Sequence, residues 1–139
     1  MDLAIMNTSF TLDPRLERDT QLITTLSLSQ VRLMNNQNYA WIVLVPQVPD
    51  ISELYQLDQL QQEQLLQEIN QISLMLKQAG PCDKINIGLL GNEVQQLHAH
   101  VLARTIGDLH WPKPVWGHPG TPYSAEALAE CVQRWRVRF

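Results

Sequence analysis

Apolar positions along this chain switch between two periods, and the switches mark its elements. Asp13-Pro14 reads as a helix start, because Asp can cap and Pro fits a first turn whose N–H needs no partner. RLERDTQL then forms a short helix. LITTLSLSQVRLM is rich in β-branched and aliphatic residues and predicts a strand bent near Ser29-Gln30. After the turn cluster MNNQN, YAWIVLVP is a near-continuous apolar strand closed by Pro46, and the chain is irregular through 47–57. From 58 to 79 the period changes to that of a helix: Leu65, Ile69, Ile72 and Leu76 make one stripe, Asp58 and Gln61 suit a capping box, and Gly80-Pro81 stops it. CDKINIGLL predicts a strand, Gly91-Asn92 a turn and 95–104 a second strand, together an antiparallel hairpin. GDLHWPKPVWGHPGTPY has no period and reads as an ordered loop. Ser124 caps a last helix, about 124–137, with Leu128, Cys131, Val132 and Trp135 apolar and Arg134, Arg136 and Arg138 outside.

No repeat and no second apolar block interrupts this order, so the expectation is a single α+β domain over 1–139. Its antiparallel sheet carries the long helix and the C-terminal helix packed on it. With 139 residues, 45% hydrophobic and 17% charged, the chain can bury a real core. A net charge of −4 argues against a broad surface for nucleic acid or anionic membrane, both of which need clustered positive charge. One pocket for a small anion needs only a few donors. No apolar run reaches the ~20 residues that span a bilayer, and MDLAIMNTSF lacks the charged and apolar regions of a leader. Cys82 and Cys131 stand in no ligand spacing, which argues against a zinc or disulfide framework and predicts a reduced, cytoplasmic protein; no cofactor is expected.

The strand QLHAHVLAR alternates Gln96, His98, His100, Leu102 and Arg104 with Leu97, Ala99, Val101 and Ala103. Three readings of its polar face are open. It can be the solvated side of a half-buried sheet. Its histidines can ligate a metal as in a cupin-like barrel, with His110 the one obvious third ligand. Or one imidazole is a nucleophile whose neighbours hold an anion.

KINIGLLGNEVQQLHAHVLAR resembles the core hairpin of the histidine triad (HIT) family of nucleotide hydrolases and transferases, which carries His-x-His-x-His after a strand with Asn and a Gly-led turn. The match holds at His98 and His100 and departs at the first triad position, where Gln96 stands. LMNNQNYAWIVLVP resembles the family's upstream strand pair, and HWPKPVWG a bacterial, diadenosine tetraphosphate hydrolase-like branch in which Gln at the first position accompanies a Trp-Pro segment. The likeness runs over about 15–117.

The resemblance implies a HIT-like fold and a homodimer whose long helix and sheet edge meet their two-fold mates. His98 would attack the α-phosphate of a dinucleoside polyphosphate or an adenosine phosphoramidate, giving a nucleotidyl-histidine that water resolves. The second ring nitrogen of His98 would donate to a backbone carbonyl near position 96. His100 would bond the non-bridging oxygens or help the leaving group. Asn35 would meet the ribose, Asn86 and Asn92 would stand on the phosphate side, and Glu93 replaces a Ser or Thr donor. The family's additional pocket His is not evident after LVP, where QVPDI stands. Arg104 either neutralises phosphate or closes a surface ion pair, and Trp111 and Trp116 either stack on a base, complete a neighbour's pocket or pack on the hairpin. Trp41 is expected in the core, and His110 and His118 as bystanders, although His110 beside Trp111 is within reach of the site. The rival function on the same fold is a non-catalytic nucleotide-binding or sensing module, favoured by Gln96, Glu93 and the missing histidine.

Overall fold

A computed structural model describes residues 9–139; the stretch read as leaderless begins outside the described residues. Asp13 opens helix α1 (Pro14–Asp19) by accepting the amide of Arg15 at 2.8 Å. The helix stops at Asp19, short of the expected 22, because Thr20 already pairs with Met34 in the sheet. Strands β1 (Thr20–Thr25), β2 (Ser29–Met34), β3 (Trp41–Pro46), β4 (Lys84–Gly88) and β5 (Ala99–Arg104) form one sheet in the order β1-β2-β3-β5-β4, every pair antiparallel. Helix α2 (Gln59–Ala79) lies between β3 and β4 in the chain, and α3 (Ala125–Arg136) ends it. The architecture is α+β, as the period changes predicted.

Two expectations fail in instructive ways. LITTLSLSQVRLM is a hairpin of β1 and β2, not one bent strand. The turn between them carries amides that need partners, and Glu68 of α2 supplies both: its buried carboxylate accepts from Leu28 N at 2.9 Å and Ser29 N at 3.1 Å. A turn stabilised by a carboxylate forty residues away leaves no local signal. The His strand is also shorter than 95–104. Residues 95–98 leave the ladder, where Leu97 N donates to Ile51 O at 2.9 Å and the Gln96 amide bonds to Thr11 and Asp13. The β4–β5 connection is therefore a broad loop rather than a tight Gly91-Asn92 turn.

Alternation along β3 and β5 divides the core in two. Ile42, Leu44, Ala99, Val101 and Ala103 face α2, whose stripe of Leu65, Ile69, Ile72 and Leu76 is buried against them. Each such aliphatic side chain contributes about 1.5–3 kcal/mol on leaving water. On the other face, Trp41, Val43, Val45 and Leu102 meet Leu16, Tyr39 and Val115. The 107–123 segment is what covers this second face, tied down by Gln37 N to Thr121 O at 2.7 Å and by Tyr123 N to Asn35 Oδ1 at 2.8 Å. Neither side of β5 is left to solvent, which removes the reading of its polar face as a hydrated surface.

Candidate active site

The histidine face of β5 forms the floor of a pocket of about 500 Å³. His98 and His100 lie there with ring centres 4.9 Å apart, although only 7% and 6% exposed. The loop after β4 contributes Asn92 and Glu93, the α1 end Asp19, and the covering segment Trp116 and His118. Among the described residues, no Lys or Arg forms part of this wall. An anion bound here meets neutral N–H groups and imidazoles rather than fixed cations.

Each imidazole is fixed by one nitrogen. His98 Nδ1 lies 2.7 Å from the Gln96 carbonyl, and a carbonyl can only accept, so Nδ1 carries the proton and Nε2 keeps its lone pair. The departure of residues 95–98 from the ladder is what frees that carbonyl to turn toward His98. His100 is set the opposite way. The indole Nε1–H of Trp41 donates to His100 Nδ1 at 3.0 Å, and an indole nitrogen can only donate. His100 therefore holds its single proton on Nε2. Burial, and then the neighbouring His98, push its pKa down to about 3, and a second proton would set N–H against the Trp41 N–H. His100 is a neutral donor at any ordinary pH.

Trp116 closes the pocket by meeting His100 and Trp41 edge-on, with ring centres 5.5 and 6.3 Å away. It can do so because Gly88, paired with His100 across the ladder, has no side chain: a Cβ there would lie 2.8 Å from Trp116 Cη2 and Cζ2.

The structure separates the remaining sequence candidates. Gln96 points its side chain away from the pocket; Oε1 accepts from Asp13 N at 2.8 Å and Nε2 donates to Thr11 O at 2.9 Å. Its amide clamps the N-terminal segment while its carbonyl serves His98. Arg104 neither lines the pocket nor lies at the surface. It is 1% exposed, paired with both oxygens of Asp108 (2.8 and 2.9 Å), bonded to Asn86 Oδ1 at 3.0 Å, and set over the Tyr39 and Trp111 rings. Asn86 and Trp111 thus serve as its partners beneath the sheet end and do not line the pocket. Asn35 borders an adjoining recess that shares Asp19, Met34, Trp41 and His118 with the pocket. Asn92 stands in the pocket itself.

Of the other wall residues, Trp116 was weighed as a stacking or packing residue, Trp41 was expected only in the core, His118 was expected as a bystander, and Asp19 was not singled out. Trp41 carried a signal, since alternation places it on one face with Val43 and Val45, but only the β3–β5 register (Val43 opposite His100) sets that face against the histidines. Nothing local marks His118. Its ring stacks on His110 at 4.1 Å, and His110 Nδ1 shares a 2.6 Å hydrogen bond with the Tyr39 hydroxyl. Among the described residues, no group of three His, Cys, Asp or Glu is placed to hold a metal ion, which leaves the cupin-like reading without its ligands. Nor is any described helix long and apolar enough to cross a membrane.

A family model described as HIT domain matches residues 15–106. Three solved structures are similar over nearly the whole chain. A histidine triad (HIT) protein from Sinorhizobium meliloti 1021 is 47% identical with a TM-score of 0.89, covering 95% of this chain and 98% of that one. A histidine triad protein from Bradyrhizobium japonicum is 43% identical with a TM-score of 0.86, covering 92% and 96%. One from Marinobacter aquaeolei VT8 is 40% identical with a TM-score of 0.88, covering 92% and 94%. No curated relative matches the chain.

Proposed function

The chain belongs to the HIT-domain family of nucleotide-binding proteins, and we propose that its pocket cleaves a nucleotide at the α-phosphate through a nucleotidyl-histidine on His98. The observation that carries this reading is the 2.7 Å contact from His98 Nδ1–H to the Gln96 carbonyl. It presents Nε2 as a free lone pair and stabilises the charge that appears on the ring as the N–P bond forms. Because the acceptor is a backbone atom, a Gln in the first triad position does not remove it.

His100 Nε2–H, neutral and aimed by Trp41, donates to a non-bridging oxygen as charge develops there. Asn92 adds an amide donor from the loop. Water then attacks the phosphorus and releases the nucleotide. The substrates are of the dinucleoside polyphosphate or adenosine phosphoramidate type, and the 107–123 cover is consistent with a diadenosine tetraphosphate hydrolase-like branch. The protein works as a symmetric homodimer. Support for this comes from β4, an edge strand with Ile87 exposed, and from the exposed Leu66 and Leu74 of α2. Light scattering at micromolar concentration should report twice 15.9 kDa; a monomer alone would refute the assembly.

Adenylate release from adenosine phosphoramidate and diadenosine polyphosphates tests the reading. His98→Ala should lower turnover at least ~10³-fold while nucleotide binding persists. Unchanged turnover in that variant refutes His98 as nucleophile. Tight nucleotide binding with no release by the unsubstituted protein would favour the binding-module alternative.

A further inference from the structure

We propose that His118 is the acid that protonates the leaving group during attack by His98, and the base that receives the proton of the resolving water. This rests on the nucleophilic role of His98 given above. An amine or alcohol expelled from phosphorus leaves poorly as an anion, so the pocket needs a proton source. The wall holds few. His98 has its one proton committed to the Gln96 carbonyl. His100 has only its Nε2 proton, whose loss would leave an imidazolate, and Trp41 blocks the uptake of a second. Asp19 is a carboxylate bound through both oxygens to Arg18, at 2.8 and 3.1 Å, and Glu93 is an exposed carboxylate. Carboxylates are bases rather than acids near neutral pH. His118 is the wall group left whose chemistry suits both directions of transfer.

Its position is built, not incidental. His118 follows Gly117, whose φ of 89° turns the chain back after Trp116, and its ring lies at 18° to that of His110. His110 is anchored to the Tyr39 hydroxyl, and Tyr39 is buried beneath Arg104. Two stacked imidazoles do not both carry charge readily. Loss of solvent around His110, then His118 and Arg104, oppose a charge on its ring, and Asp108 favours one, so His110 is held below the usual imidazole range. His118 lines the same pocket as Asp19 and Glu93, on the side of the stack that opens toward the histidine floor.

The balance is complete with water alone. In the first step the His98 Nε2–P bond forms, the bond from phosphorus to the leaving atom breaks, and that atom keeps the electron pair and takes the His118 proton. In the second, water oxygen bonds to phosphorus, the Nε2–P bond breaks, and the proton lost by water returns to His118.

Two adenylate substrates separate this role from a structural one: an alkylamine phosphoramidate, whose leaving group needs a proton, and a nitrophenyl ester, whose leaving group does not. In single-turnover experiments His118→Ala and His118→Gln should slow amine release by ~10²–10⁴-fold and remove the alkaline limb of its pH profile. Nitrophenolate release should stay within about threefold. Equal losses on both substrates, or no loss on either, overturn the assignment and leave the His98 chemistry standing. Failure of the unsubstituted protein to release either leaving group overturns both.

Discussion

Trp41→Phe probes the hydrogen bond that sets the state of His100. Both residues are 6% exposed, so the substitution leaves the His100 Nδ1 acceptor without water or protein to replace the indole N–H. An unpaired buried acceptor costs about 1–3 kcal/mol, and the smaller ring adds about 1 kcal/mol of lost packing against Tyr39 and Trp116. A loss of about 2–4 kcal/mol lowers Tm by roughly 6–20 °C in a chain of this size. The sharper readout is nitrogen-15 NMR of the His100 ring. In the parent, Nδ1 should read as unprotonated and Nε2 as protonated from neutral pH down to about 3. In the variant both tautomers become populated and the ring titrates at a higher pH. The stability profile follows in sign. A buried neutral histidine binds fewer protons folded than unfolded, so the parent loses stability as pH falls from about 6.5 toward 3, with a slope of up to about 1.4 kcal/mol per unit. The variant should lose less, because its folded ring accepts the proton sooner. A parent His100 that titrates near 6.5, or a Trp41→Phe protein with an unchanged tautomer, would refute the reasoning.

Gly88→Ala puts a Cβ 2.8 Å from Trp116, so the indole must move off His100; near-UV circular dichroism should change, with about 1–3 kcal/mol lost, and an unchanged spectrum would contradict the packing. Gln96→Ala removes two bonds to the 11–13 backbone but keeps the carbonyl that serves His98. Hydrogen exchange should quicken at Asp13 while turnover falls less than about tenfold; a loss like that of His98→Ala would show that the side chain itself acts in the chemistry. Asp108→Ala strands the buried Arg104 guanidinium, costing about 3–5 kcal/mol. Arg104 holds the Asp108 carboxyl below its usual range, so the parent's share of this stability is present above pH ~4 and lost as acid protonates the pair, and the variant's acid limb should be shallower.

The parts of this molecule legible in the sequence are those written locally. Asp58, Gln61 and the four-residue apolar stripe announce α2, and Ser124 announces α3. His98 and His100 on one strand face, read with the KIN and WPKPVWG segments, pointed to the family and to the pocket floor. What could not be read depends on contacts between distant segments. The β1–β2 turn relies on Glu68, and the orientation of His100 relies on Trp41 two strands of sequence earlier. Arg104 looked like a ligand because alternation fixes only the face; Asp108, four residues on, decides that its charge is spent internally. His118 sits in a segment without periodicity, and its stack on His110 exists only because that segment folds over the sheet.

The covalent intermediate is the claim on which the rest depends. Mixing the protein with an α-radiolabelled adenylate substrate, quenching within a turnover at alkaline pH and mapping the peptides by mass spectrometry should find one adenylyl group. It should sit on His98 Nε2, be absent from the His98→Ala protein, and be acid-labile as an N–P bond is. Label on another residue, or full turnover with no labelled peptide at any quench time, would contradict attack by His98.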